Sequence, residues 1–161
     1  FRFRLFLLII FSLILNKNSF SQQNKIIITA EKVVYKKIDS TLLNLHVYKP
    51  LNFHKDSIYN CIVFFHGGGY TMGSTADHMQ LIASLVILSG ISFLGIDYRL
   101  CPQHRFPAPI DDAEAAYRWL MLQGYSQKAI GFSGISAGGL IVTQLIYRCQ
   151  NQGIQIPSHP Q

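Results

Sequence analysis

The chain has 161 residues, 49% of them hydrophobic and only 14% charged, with a formal net charge of +6. That length bounds it to one domain with enough chain for a sizeable core, and the apolar balance excludes a disordered segment. Its lysines and arginines are scattered, with no basic stripe interleaved with aromatics, so no nucleic-acid partner is expected.

The first 21 residues read as a targeting segment. Arg2 and Arg4 precede an almost unbroken apolar run over residues 5–15, and Ser19 and Ser21 follow in a polar stretch. This is the layout of a signal peptide cleaved after Ser21, which makes residues 1–21 the leader and 22–161 the domain, and the protein secreted or exported. Eleven apolar residues fall short of the about 20 that a spanning helix needs. Retained, the same run would be an N-terminal anchor and the one route to membrane contact. Cleavage would also remove Arg2, Arg4 and Lys17, leaving 11 basic against 8 acidic residues.

Residues 26–37 and 42–49 alternate with period two, with Val33 and Tyr35, then Leu43, Leu45 and Val47, on one face of each strand. Asp39 and Ser40 supply the turn of an antiparallel hairpin. Residues 61–65 form a continuous apolar run, the pattern of a strand buried on both faces. A glycine-rich loop over residues 66–73 follows. Leu81, Ile82, Leu85, Val86 and Leu88 keep helical spacing up to Gly90, and residues 91–96 form the next buried strand.

Residues 97–109 read as a loop, and Asp111 and Asp112 favour a helix start. Ala113, Ala116, Tyr117, Leu120 and Met121 then mark one helical face, which Gly124 ends. A weaker strand over residues 129–133 leads to a last helix with Ala137, Leu140, Ile141, Leu145 and Cys149 facing inward. A hairpin followed by three strand–helix units predicts an α/β fold: a mostly parallel sheet, helices on both faces and an antiparallel start.

Two motifs carry chemistry. Gly134-Ile135-Ser136-Ala137-Gly138 matches Gly-x-Ser-x-Gly and lies between a strand and a helix, the context of a nucleophile elbow. The sharp turn needs small residues beside Ser136, which Gly134, Gly138 and Gly139 supply, and the Ala137 N–H opens the helix toward the same space. His66-Gly67-Gly68-Gly69 directly follows an apolar strand. Successive glycines let backbone N–H groups converge on one point with no side chain in the way, as an oxyanion requires. By composition the second motif would arise by chance in about one chain in several hundred of this size, and the first in roughly one in twenty. The pair, in this order and on these elements, makes Ser136 the candidate nucleophile.

With Tyr70 after the glycines, Asp97-Tyr98-Arg99-Leu100 with Pro102, Phe106-Pro107-Ala108, Asp111-Asp112, Trp119 and Gly139 closing the serine motif, the chain resembles the hormone-sensitive-lipase family of α/β-hydrolases from about Lys32 onward. The resemblance implies an α/β-hydrolase fold and carboxylic-ester hydrolysis of a small-molecule ester with no metal or cofactor. It implies oxyanion donation by Gly67, Gly68 and Ala137, with Gly69 shaping the loop.

Two departures stand out. The family often has Asp where this chain has Ile135. The triad order is Ser, then acid, then His, yet only 25 residues follow Ser136, with no Asp or Glu among them. His159 falls before any acid could and reads as a loop histidine. With Phe1 in place of Met and a loop at the end, the chain is expected to be an N-terminal part whose C-terminal strands are missing, inactive alone.

Of the remaining histidines, His66 is expected to brace the glycine loop, and His46, His54, His78 and His104 to be surface or loop residues. Asp97, Arg99, Asp111 and Asp112 are expected to form structural salt bridges or helix caps, and Tyr70 either lines a pocket or packs. Cys61, Cys101 and Cys149 contain no CxxC, so zinc is not expected, while one disulfide or buried free thiols both fit. Three rival readings remain: a hydrolase-fold binding protein without catalysis, an enzyme of the same fold acting on another substrate such as an amide, peptide or lactone, and a truncated product. The oligomeric state is left open.

Overall fold

The computed structural model describes residues 28, 30–53 and 60–156, so the leader assigned to residues 1–21 lies outside the described residues, as do His54 and His159. Strands β1 (Glu31–Ile38) and β2 (Thr41–Tyr48) form the expected hairpin, and Asp39 at the turn takes φ 52°, a left-handed conformation that Asp tolerates. The register slips between Val34 and Lys36, a bulge that leaves Tyr35 unpaired. The Tyr35 hydroxyl reaches the Asp112 carbonyl oxygen at 3.2 Å.

Strands β3 (Cys61–Phe65), β4 (Ser92–Asp97) and β5 (Ile130–Gly134) complete a five-stranded sheet in the order β1-β2-β4-β3-β5. β2 runs antiparallel to β4, whereas β3 pairs in parallel with both β4 and β5. Phe65 sits opposite both Ile96 and Gly134, so the carboxyl ends of the three parallel strands lie level. Ligand sites of open α/β sheets form at such ends, where successive connections depart to opposite sides. Among the described residues β5 pairs only with β3, which leaves its other edge open.

Helix α1 (Met79–Ser89) covers one face of the sheet. Ile82 and Val86 meet Tyr48, Phe64 and Phe93 there. Gly90, at φ 66°, ends the helix with its N–H on the Val86 carbonyl. Helices α2 (Ala108–Leu122) and α3 (Ala137–Asn151) cover the other face, over a core that includes Leu45, Val63, Phe65, Ile96, Tyr117, Leu120, Ile141 and Leu145. Each such side chain stabilises the fold by about 1.5–3 kcal/mol through burial.

Leu81 and Leu88 keep the helical spacing but are exposed (43% and 83%), while Ile82 and Val86 are buried against the sheet with Ala83 and Leu85 packed beside them. Two readings of the helices are corrected. Leu140 is also exposed, since Gly138 and Ile141 make the inward contacts of α3 at that level. α2 starts at Ala108, with Pro109 in its first turn, ahead of the expected start at Asp111.

Cys61 and Cys149 are buried free thiols, and Cys101 is half-buried and free. Burial pushes the Cys61 thiol up to about 12. No helix among the described residues is long and apolar enough to cross a membrane.

Candidate active site

Every sequence-assigned site residue falls at the carboxyl ends of β3 and β5. Ser136 is the second residue after β5 and stands at the N-terminus of α3 with φ 52° and ψ −117°. An L-residue pays about 1–3 kcal/mol to hold such a conformation. Gly134 and Gly138 make the tight turn possible. A Cβ on Gly134 would lie 2.3 Å from the Gly138 carbonyl carbon, and one on Gly138 would lie 2.0 Å from the Phe65 carbonyl oxygen. Strand β3, strand β5 and helix α3 thus meet through bare backbone, and the Ile135 N–H ties the elbow to the Phe65 carbonyl at 3.2 Å. Ser136 itself is exposed.

The glycine loop leaves β3 beside this elbow. A Cβ on Gly67 would lie 3.5 Å from the Ser136 Cβ and 3.2 Å from the Ile135 carbonyl oxygen, so the loop and the serine are in contact. Gly68 takes φ 114°, and a Cβ there would fall 2.0 Å from the Met72 carbonyl oxygen. Gly69, at φ 60°, has open space around it and is required only for its backbone conformation. No turn or loop hydrogen bond among the described residues takes the N–H of Gly67, Gly68 or Ala137. Ala137, first in α3, has no acceptor within its own helix.

His66 is buried (1% exposed) and stacks on Tyr98, with ring centroids 4.2 Å apart and planes 8° from parallel. The Tyr98 hydroxyl donates to the His66 carbonyl oxygen at 2.7 Å. The imidazole Nδ1 lies 2.7 Å from the Gly67 carbonyl oxygen, which can only accept, so Nδ1 carries the proton. A planar trans peptide points its N–H opposite to its C=O. Fixing the Gly67 carbonyl therefore also fixes the direction of the Gly68 N–H. Burial pulls the His66 pKa down, only partly offset by its bond to Gly67, so the ring stays uncharged at neutral pH. His66 is thus tied to the loop through the Gly67 carbonyl.

The charged residues beside the site are structural. Arg99 grips Asp112 through Nε and Nη2, at 2.8–3.0 Å, and its backbone N–H adds a third tie at 2.9 Å. Asp112 is completely buried. Asp111 and Glu114 of α2 both bond Arg148 of α3. Tyr70 packs against the core at φ 64°, its carbonyl accepting from the Cys101 N–H at 2.8 Å.

His46, expected as a surface or loop residue, is instead half-buried on strand β2, its Nε2 2.7 Å from Asp97 Oδ2. Asp97 Oδ1 also accepts the Thr75 N–H at 2.8 Å. Burial raises the Asp97 pKa, but the bonds from Thr75 and His46 outweigh it and hold the carboxyl below its usual value. Among the described residues no group of three His, Cys, Asp or Glu side chains is placed to hold a metal ion. A cleft of about 350 Å³ lined by Ile28, Val47, Lys49 and Leu51 lies near the Tyr48 end of β2, which pairs with the start of β4, at the opposite end of the sheet from Ser136.

A strained serine between a strand and a helix, with a glycine loop against it at the carboxyl end of a mixed sheet, defines an α/β-hydrolase. The chain belongs to that family: residues 62–160 match the alpha/beta hydrolase fold. It is 34% identical over 111 residues to an ethyl acetate hydrolase of Pseudomonas putida, covering 66% of this chain and 35% of that protein. It is 30% identical over 120 residues to the gibberellin receptor GID1B of Arabidopsis thaliana, covering 70% of this chain and 33% of the receptor. A crystal structure of an esterase from the bacterial hormone-sensitive lipase (HSL) family superimposes with a TM-score of 0.73 at 31% identity, over 85% of this chain and 43% of that one. The chain thus spans about a third of the length of the curated relatives it matches.

Proposed function

We propose that this chain carries the nucleophile and oxyanion-binding half of a serine carboxylic-ester hydrolase. The observation that carries this reading is Ser136, held at φ 52° against Gly67. Ser136 Oγ attacks the ester carbonyl, and the negative charge that develops on its oxygen meets the N–H groups of Gly67, Gly68 and Ala137. A histidine, oriented by an acid, takes the serine proton and returns it to the departing alcohol. Water then hydrolyses the acyl-enzyme. No described residue is assigned either of these two roles, and no Asp or Glu follows Ser136 in this sequence.

Residues 1–21 act as a leader that exports the enzyme, with membrane contact only if the leader is retained. The likeness to an ethyl acetate hydrolase supports a small ester as substrate. The likeness to a gibberellin receptor supports a second reading, a hydrolase-fold protein that binds a small molecule without turnover.

The test uses the full-length protein with p-nitrophenyl acetate and butyrate. Hydrolysis that falls by about 10³-fold or more in Ser136→Ala supports the enzyme. Absence of both turnover and phosphonate labelling at Ser136 in the wild type favours the binding protein.

A further inference from the structure

The far end of the glycine loop is anchored by a device that the oxyanion chemistry itself does not explain. His46 lies directly opposite Gly95 in the β2–β4 pairing, and Asp97 is two residues further along the same face of β4. Gly95 contributes no side chain, and the space is filled by Thr75: a Cβ on Gly95 would fall 2.0 Å from Thr75 Cγ2. Thr75 is wholly buried. Its N–H bonds Asp97 Oδ1, and the other carboxylate oxygen receives His46 Nε2 along the diagonal of the strand pair.

This anchor leads straight to an oxyanion donor. Thr75 opens the short 3-10 turn Thr75–His78, which Ser74 and Asp77 cap, with the Ser74 N–H on Asp77 Oδ2 at 2.8 Å. Two residues before Thr75, Gly73 takes φ 96° with its bare Cα against the loop's first turn. A Cβ there would lie 2.7 Å from the Gly67 carbonyl oxygen and 3.1 Å from His66 Nδ1. A shift of the Thr75 backbone therefore presses on the hydrogen bond that orients the Gly67–Gly68 peptide.

We propose that His46 is a positioning residue for the oxyanion loop: through Asp97 and Thr75 it fixes Gly73, and Gly73 fixes the peptide between Gly67 and Gly68. Its imidazole never meets substrate. It holds the carboxylate in the one orientation that accepts the Thr75 N–H, and so confines the loop from its far end while His66 confines it from the near end. The catalytic consequence rests on the hydrolase reading above, whereas the structural coupling does not.

The experiment uses the full-length protein and three variants. His46→Phe keeps ring volume without a donor, His46→Gln keeps a donor near the Nε2 position, and His46→Asn is a shorter amide should the phenylalanine variant not fold. Hydrogen exchange followed by mass spectrometry reads residues 66–78 directly. We expect faster exchange there in His46→Phe, with β3 and β5 unchanged, and near wild-type exchange in His46→Gln.

In ester hydrolysis, kcat should fall about tenfold or more in His46→Phe at nearly constant KM, the mark of a misplaced transition-state donor. It should recover to within about twofold in His46→Gln. Unchanged exchange over 66–78 in a folded His46→Phe or His46→Asn overturns the proposal, as does a rise in KM alone. If the wild type hydrolyses no ester, the hydrolase reading fails and the exchange result alone decides the coupling.

Discussion

Gly138 and Phe65 touch through bare backbone: a Cβ on Gly138 would lie 2.0 Å from the Phe65 carbonyl oxygen and 2.8 Å from that of His66. One residue on, a Cβ on Gly139 meets nothing closer than the Gly134 carbonyl oxygen at 3.6 Å, an ordinary contact. The two glycines of the same motif should respond oppositely to alanine. Gly138→Ala must push α3 off the end of β3, and we expect loss of stability by about 1–3 kcal/mol together with loss of activity. Gly139→Ala should fold with wild-type stability. Urea unfolding of the two full-length variants checks this, and equal midpoints would show that the elbow is looser than its backbone contacts imply.

Arg99 and Asp112 make the most buried ion pair of the described residues. The carboxylate has no exposed surface, and it accepts from both the guanidinium and the Arg99 backbone N–H. The bond to Asp112 raises the Arg99 pKa further, against the pull of its own desolvation. Removing one partner strands the other charge, which typically costs about 3–5 kcal/mol. Arg99→Ala should therefore unfold at markedly lower urea, and Asp112→Asn, which keeps the shape and removes the charge, should be milder. A loss below about 1 kcal/mol in Arg99→Ala would mean that water reaches Asp112.

The strands and the elbow were legible because their signals are local. The run Cys61–Phe65 is continuous and apolar, and the same five residues form β3. Gly134 and Gly138 are required by a turn five residues long, so the motif contains its own geometry. The exposed Leu140 was misread because apolar spacing marks a helix without saying which of its apolar residues meets the sheet. His46 was unreadable for a different reason. Its partner Asp97 lies 51 positions away, and the two meet only because β2 pairs with β4 in a register that no local pattern specifies. The one available hint is that Leu45 and Val47 alternate with it, which places His46 on the opposite face.

Asp97 gives the fold an acid dependence of definite sign. Its pKa is lowered in the folded state, so it contributes stability that is complete above the ordinary carboxylate value of 3.8 and is lost as pH falls through the lower folded value. Asp97→Asn lacks this contribution at every pH. The stability gap between wild type and Asp97→Asn should therefore narrow as pH falls below about 4. Urea titrations across that range measure it directly. A gap that persists undiminished at pH 2.5 would mean that the amide disturbs packing and that the charge is irrelevant.

Ser136 offers a separation of stability from function. At φ 52° and ψ −117° its backbone is one that glycine adopts freely and alanine does not. Ser136→Ala removes the nucleophile and keeps the Cβ, so it keeps the strain. Ser136→Gly removes both. Relief of strain is about 1–3 kcal/mol, while the extra entropy that glycine loses on folding takes back roughly 0.5–1 kcal/mol. Both variants should be inactive, and the glycine variant should be the more stable of the two by about 1 kcal/mol, read as a higher urea midpoint at an unchanged slope. The reverse order would mean that the elbow relaxes once its hydroxyl is gone, and that the strain at Ser136 is imposed by contacts of the side chain rather than by the turn between β5 and α3.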